Sequence, residues 1–190
     1  MKKILVFYLI GYILVVGTML LLSYVWNDTC NNLLYDGSRC YLIENRTEDI
    51  KRVTLCVFEE ELVWRLLPIL ISSVVIIFLK NKWTKRIVIL LSVAAIIYMQ
   101  MIFGAKHWSP LSDFPRYHNI LMQGGTGCIL AITYICILCL TWKMLLLINI
   151  NSKSTCSKIR NLIICHITAY CASVIVHALS NTIIVITQTF

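Results

Sequence analysis

The stretch FEEELVWRLLPILISSVVIIFL, residues 58–79, decides the fold of this chain. Its uncharged part, residues 66–79, has 14 positions, fewer than the roughly 20 that an α-helix needs to cross a bilayer. A helix that runs from residue 61 to residue 79 is about 27 Å long, which nearly fills a hydrocarbon layer of about 30 Å. The stretch therefore predicts a membrane-spanning helix that carries three consecutive glutamates, at positions 59–61, to one edge of that layer.

The composition of the whole chain is also that of a membrane protein. Of its 190 residues, 59% are hydrophobic, against roughly 45–50% in soluble domains, and the mean hydropathy is +0.80. Helices are required, because an open sheet would leave backbone polar groups without partners in hydrocarbon. Five spans are predicted, at residues 4–26, 53–79, 87–107, 119–148 and 160–188. We expect an all-α, polytopic transmembrane helical bundle of about five spanning helices, one integral membrane domain over residues 1–190, with a first helix at 4–26 and a core at 53–190.

The distribution of charge predicts the orientation of the bundle. The net charge of +8 does not indicate a nucleic-acid partner, because the basic residues lie mostly in short connectors between apolar runs. One side of a five-span bundle receives Lys2, Lys3, Lys80, Lys82, Lys85, Arg86, Lys153, Lys158 and Arg160. The other side mixes Arg39, Arg46, Lys51, Arg52, Lys106 and Arg116 with acidic residues. The positive-inside rule then predicts a multi-pass protein of the cell membrane with a cytoplasmic N-terminus.

The nine cysteines do not form a recognisable framework. Six of them lie in apolar segments, where cysteine usually acts as a small buried apolar residue. Cys136 and Cys139 form a CxxC pair, which without a second pair is weak evidence for a metal site. Cys30 and Cys40 fall in a predicted polar loop, and the sequence leaves open whether they form a disulfide.

Arg65 predicts an ion pair with one of the three glutamates. An arginine one turn inside the apolar run needs a partner, because a charge at the centre of a membrane helix costs roughly 2.5–3.5 kcal/mol. Glu61 precedes it by four residues, so the two side chains share a helix face and are predicted to pair. Glu60 points about 100° away and is predicted to be available for other work. The alternative is that the glutamates only form an acidic cap at a helix N-terminus.

Two more helices carry polar residues at one-turn spacing. Phe103 and His107 are four residues apart at the end of the third span, and His177 and Asn181 are four apart in the fifth. With alternating spans, both histidines and Glu60 fall in the same leaflet. Two histidines and a carboxylate in one half of a membrane suffice to hold and deprotonate a water molecule. Alternatively, each histidine bridges or packs between helices.

These residues resemble the motifs of a known family. EExxxR (Glu60, Glu61, Arg65), FxxxH (Phe103, His107) and HxxxN (His177, Asn181), in this order on successive helices, look like the CPBP or Abi family of intramembrane proteases. That family includes the type II CAAX prenyl endopeptidases and the bacteriocin-processing and immunity proteins. The resemblance covers residues 58–190, and GGTGCILAITYI also resembles the family between its second and third motifs. The chain departs from the family at Leu66, where a small residue is usual, and at Lys106.

The resemblance implies a role for each position. Glu60 would be the general base and His107 would hold the water, while His177 and Asn181 would stabilise the oxyanion. Glu61, Arg65 and Phe103 would support the site or orient the substrate. No cofactor is favoured; the alternative is a zinc ion held by Glu60, His107 and His177.

The functional expectation is an intramembrane endopeptidase. Its substrate would be a membrane-associated peptide or a lipidated protein, such as a CAAX-type C-terminus or a bacteriocin or pheromone precursor, and its other partner would be membrane lipid. The alternative is a non-catalytic membrane immunity or scaffold protein of the same family. A small transporter or proton relay is less favoured, because the spans show no inverted repeat. The sequence does not indicate an oligomeric state.

Overall fold

The computed structural model of the chain describes residues 2–34, 57–106, 116–148 and 155–187. Apart from residues 79–81, every one of these residues is helical. The helices are α1 (Lys2–Leu34), α2 (Val57–Phe78), α3 (Lys82–Lys106), α4 (Arg116–Ile148) and α5 (Thr155–Thr187). All five contain a stretch long and apolar enough to cross a membrane. The predicted all-α bundle with five spanning helices is therefore confirmed.

Several predicted helix ends were wrong. Asn81 caps α3, because its side-chain carbonyl accepts hydrogen bonds from the backbone N–H groups of Trp83 at 2.8 Å and Thr84 at 3.4 Å. The helix therefore begins at Lys82 rather than at residue 87. Hydropathy locates the part of a helix that lies in hydrocarbon, whereas capping decides where the hydrogen-bonded helix starts.

The two cysteines whose bridging the sequence leaves open, Cys30 and Cys40, fall partly outside the described residues. Cys30 lies within α1, which continues to Leu34, and not in a loop after residue 26 as expected. Cys40 is outside the described residues, so its pairing with Cys30 stays open. The other helix ends differ in the same way: α4 begins at Arg116 and α5 at Thr155, both several residues before the predicted spans.

Apolar and polar side chains are arranged opposite to those of a soluble protein. Phe7 and Leu90 are 71% and 70% exposed on the outside of the bundle, whereas Glu61, Arg65 and Gln100 are completely buried. Further buried polar residues line the helix contacts: Ser23, Thr126, Thr133, Thr141, Asn161, His166, Ser173 and Ser180. This arrangement suits lipid as the solvent, because hydrocarbon tolerates exposed leucine and isoleucine but not exposed hydrogen-bonding groups. The chain is an integral membrane protein.

Helix α4 lies at the centre and contacts α1, α3 and α5. Its glycines permit the close approach of two neighbours. A Cβ atom on Gly125 would lie 2.4 Å from the indole ring of Trp26 in α1, and one on Gly124 would lie 3.1 Å from the backbone carbonyl of Gln100 in α3. The indole N–H of Trp26 donates to the carbonyls of Leu121 and Met122, both at 3.2 Å. In membrane proteins, small residues at helix contacts let the helix backbones approach closely.

Side-chain hydrogen bonds join α1, α4 and α5. The hydroxyls of Tyr12 and Thr141 lie 2.9 Å apart between α1 and α4, and those of Ser23 and Ser180 lie 2.6 Å apart between α1 and α5. Because Ser180 is three residues from His177, α1 supports the part of α5 that carries the predicted functional residues.

Candidate active site

Helix α2 changes its hydrogen-bond pattern directly after the glutamates. Over Leu62–Leu66 it is π-helical, and the N–H of Leu67 donates to the carbonyl of Leu62, five residues back. The wider turn buries Arg65 completely while Leu62 and Val63 face outward, 42% and 46% exposed. Single π-helical turns inside α-helices are often found at functional sites.

Glu61 lies at the centre of a buried network between α2 and α5. The Arg65 Nη1 group donates to its Oε1 atom at 2.7 Å, so the predicted ion pair is confirmed. His177 Nδ1 lies 2.8 Å from the same oxygen, and the Ser173 hydroxyl donates to Oε2. With three donors from two helices, the Glu61 carboxylate is fixed in position.

Phe103 supports the arginine from α3. Its ring lies 4.9 Å from the guanidinium carbon of Arg65 and 5.8 Å, edge on, from the ring of Trp64. Phe103 is 2% exposed. A guanidinium over an aromatic face is attracted by the ring quadrupole, so Phe103 partly offsets the cost of burying the charge. Phe103, the residue of the FxxxH pattern that the structure describes, therefore contacts Arg65 of the EExxxR pattern.

His177 lies between two glutamates. Its Nδ1 atom is bonded to Glu61, and its Nε2 atom is 3.6 Å from Glu60 Oε2. Glu61 is confined to the interior, whereas the side chain of Glu60 is 24% exposed. Glu60 approaches the second nitrogen of the ring whose first nitrogen bonds Glu61, so both glutamates lie beside His177. The distance from Nε2 to Oε2 is longer than a direct hydrogen bond of about 2.7–3.2 Å.

The remaining predicted residues stand as follows. Asn181 lies one turn beyond His177 on α5 and is half-buried. His107 lies outside the described residues. Lys106, the residue before it, has its ammonium 5.0 Å from the ring centroid of Trp64. The end of α3 thus lies against the π-helical stretch of α2, and the position of His107 relative to Glu60 stays a prediction.

Two residues of the site were missed from the sequence. Ser173 is four residues before His177, so a search for polar side chains at one-turn spacing along α5 could have found it. Gln100 is a fully buried amide in the run IIYMQMIF, and its Nε2 group donates to the backbone carbonyl of Trp64 at 2.9 Å. Pro68 was the available signal for Gln100, because a proline leaves the carbonyl four residues earlier without its helical donor.

A metal site needs several histidine, cysteine or carboxylate side chains close together. Among residues 57–106, 116–148, 155–187 and the described part of α1, no three histidine, cysteine, aspartate or glutamate side chains form a group that could hold a metal ion. Two members of the zinc alternative, Glu60 and His177, are adjacent. The third, His107, is outside the described residues, so the zinc alternative stays open.

The chain matches no model of a known protein family, no curated protein and no solved structure.

Proposed function

We propose that this protein is an intramembrane endopeptidase of the CPBP or Abi type, in which Glu60 activates a water molecule. The observation that supports this most is the position of His177 between Glu61 at 2.8 Å and Glu60 at 3.6 Å. One carboxylate is buried and held by three donors, and the other is partly exposed beside the second nitrogen of the ring. The two glutamates thus have different surroundings and different roles.

The hydrogen-bond roles of the two His177 nitrogens follow from the charged groups around the ring. A carboxylate can only accept hydrogen bonds, so the ring donates from Nδ1 to Glu61. The mechanism we propose takes Nε2 as carrying a proton too, so that the charges of Glu60, Glu61, Arg65 and His177 sum to zero, which suits a site in a low-dielectric membrane. His177 then presents an N–H donor on the Glu60 side of the ring.

A water molecule fits between this donor and Glu60 after a small movement. Water that accepts from His177 Nε2 and donates to Glu60 Oε2, with bonds of about 2.8 Å, holds the two atoms about 4.6 Å apart at a tetrahedral angle. The observed distance is 3.6 Å. Glu60 is partly exposed and must move outward by about 1 Å, whereas Glu61 and Arg65 cannot move without breaking the buried network.

The reaction follows from these positions. Glu60 takes a proton from the water, the hydroxide oxygen attacks the peptide carbonyl carbon, and the carbonyl oxygen becomes an oxyanion. The amide of Asn181, one turn from His177, donates to that oxyanion, and the His177 Nε2–H donates to it as well once the water oxygen has left this N–H for the carbonyl carbon. Glu60 then returns its proton to the departing nitrogen as the C–N bond breaks. Glu61 and Arg65 hold His177 in position and do not touch the reacting atoms.

The substrate we propose arrives from the lipid. Glu60 is flanked by the lipid-facing side chains Phe58, Leu62 and Val63, which are 48%, 42% and 46% exposed. A peptide that is anchored by a lipid group or an apolar segment can reach such a site from within the leaflet. A lipidated protein C-terminus and a small bacteriocin or pheromone precursor both have this chemistry.

A second candidate is a non-catalytic immunity or scaffold protein. The observation that favours it is the closed network of Glu61, Arg65, Ser173 and His177, which joins α2 to α5 as an interhelical hydrogen-bond network would. That network does not explain the partly exposed Glu60 beside His177. Loss of function in a Glu60→Gln variant that still folds therefore separates the two candidates.

The proposed location is the cell membrane, with the N-terminus in the cytoplasm. Support comes from the basic residues at the α2–α3 turn and at the start of α5, including Lys80, Lys82, Arg86, Lys158 and Arg160, all exposed. Among the acidic residues, Glu59, Glu60 and Glu61 lie at the start of α2, which is the end of that helix away from the α2–α3 turn. Fusions of a periplasmic reporter enzyme to each connector should be active only after α1, after α3 and at the C-terminus.

The test of the proposed function is cleavage in reconstituted membranes. Purified protein in liposomes is mixed with prenylated peptides and with apolar precursor peptides, and new termini are identified by mass spectrometry. We expect one substrate class to be cut, with ¹⁸O from labelled water in the new carboxylate. Cleavage that a zinc chelator abolishes and added zinc restores would refute the metal-free mechanism, and no cleavage of either class would favour the scaffold candidate.

A further inference from the structure

The π-helical stretch of α2 contains a backbone carbonyl that its own helix cannot satisfy in the usual way. Trp64 O would normally accept the N–H of residue 68, but residue 68 is proline and has no N–H. Arg65, which completes the ion pair with Glu61, is the next residue after Trp64. The carbonyl that lacks its usual helical donor is therefore directly beside a residue of the site.

Gln100 of α3 supplies the missing donor. Its Nε2 group lies 2.9 Å from Trp64 O, and the side chain is completely buried. A glutamine buried in a membrane helix is expensive unless it is bonded, so its presence requires an explanation. The amide replaces the bond that Pro68 removes.

A glycine of α4 leaves room for this arrangement. A Cβ atom on Gly127 would lie 2.7 Å from Gln100 Oε1 and 3.3 Å from Arg65 Nη2. The glutamine, the arginine and the glycine backbone thus fill one space between α2, α3 and α4. Any side chain at position 127 would push the glutamine away from Trp64 or the guanidinium away from Glu61.

We propose that Gln100 is a positioning residue, which holds the π-helical stretch of α2 so that Arg65, Glu61 and His177 keep the geometry that serves Glu60. It does not touch the substrate. The part of the inference that concerns cleavage rests on the proposed function, whereas the part that concerns the backbone of α2 does not. None of the three motifs of the resemblance contains Gln100.

Gln100→Met tests this role, because methionine has a similar volume and no donor. We expect faster amide hydrogen exchange in peptides that contain Leu62–Leu66, because that turn loses its external bond. For cleavage we expect kcat to fall roughly tenfold or more with KM nearly unchanged, as for a residue that acts on the catalytic groups alone. The matched control is Gln123→Met, a half-buried glutamine of α4, which should change neither quantity.

Pro68→Ala provides the rescue. Alanine restores an N–H four residues after Trp64, so the helix can satisfy that carbonyl without Gln100. Gln100→Met in the Pro68→Ala background should therefore be nearly harmless to both exchange and kcat, even where Gln100→Met alone folds poorly. A simple loss of packing volume or of core polarity would not be restored by a change at position 68.

The exchange rates and kcat values of these variants decide whether Gln100 is a positioning residue. The positioning role is supported if Gln100→Met alone has fast amide exchange at Leu62–Leu66 and a low kcat, and if Gln100→Met with Pro68→Ala has slow exchange and a high kcat. Equal damage from Gln100→Met with and without Pro68→Ala would overturn it, and so would Gln100→Met behaving as Gln123→Met does. Restored exchange in a protein whose wild type cuts no substrate would support the positioning role and count against the protease.

Discussion

Arg65→Met is the substitution for which the structure gives the clearest magnitude. Arg65 and Glu61 are both completely buried, and their contact of 2.7 Å is charge-assisted. Removal of the guanidinium leaves the Glu61 carboxylate with His177 and Ser173 as its partners in the described part of the chain, and it removes the contact with Phe103. Breaking a buried ion pair from one side typically costs about 3–5 kcal/mol.

Thermal unfolding in detergent measures this cost. For a chain of this size a loss of about 3–5 kcal/mol corresponds to a fall in Tm of about 6–20 °C. Glu61→Gln in the Arg65→Met background should recover part of the loss, because it removes the uncompensated charge. Arg86→Met is the control: Arg86 is exposed and lies over the ring of Trp83 at 5.2 Å, so the Tm of this variant should fall by the equivalent of at most about 1 kcal/mol.

The reasoning would be refuted if Arg65→Met and Arg86→Met had the same Tm, or if Glu61→Gln lowered the Tm of Arg65→Met further. Either result would mean that the buried pair does not hold α2 against α5. The account of how His177 is oriented would fail with it.

Two further predictions concern the packing of the bundle. Gly125→Ala should lower the free energy of unfolding by about 1–3 kcal/mol, because the new Cβ would lie 2.4 Å from Trp26. Gly17→Ala should be neutral or slightly stabilising, because a Cβ there would meet no described atom of a neighbouring helix within 4 Å. Tm in detergent compares the two variants. Tyr134→Phe removes the hydroxyl that lies 2.8 Å from His166 Nδ1 and should cost about 1–3 kcal/mol in the same measurement. A Gly125→Ala protein as stable as Gly17→Ala, or a Tyr134→Phe protein with the Tm of the wild type, would contradict the packing described for α4.

The sequence predicted best what depends on local geometry. The Glu61–Arg65 pair follows from a separation of four residues on one helix and was confirmed. The five spans follow from the length of the apolar runs, and they too were confirmed. Both predictions need only the pitch of a helix and the thickness of a bilayer.

The features that could not be predicted from the sequence depend on contacts between helices. The distance between Glu60 and His177 depends on how α2 and α5 pack, and the π-helical turn that buries Arg65 alters the direction of every residue after it. Ser173 and Gln100 looked like ordinary polar residues in apolar runs. Only the three-dimensional contacts show that one bonds Glu61 and the other replaces the donor missing at Pro68.

The central claim is that Glu60, and not its neighbours, activates water. The most direct test compares kcat of Glu60→Gln with that of Glu59→Gln, an adjacent and exposed glutamate, on the same membrane peptide at equal amounts of folded protein. We predict a loss of at least about 10²–10⁴-fold for Glu60→Gln, the contribution typical of a general base, and nearly full activity for Glu59→Gln. Equal activity of the two variants would contradict the claim.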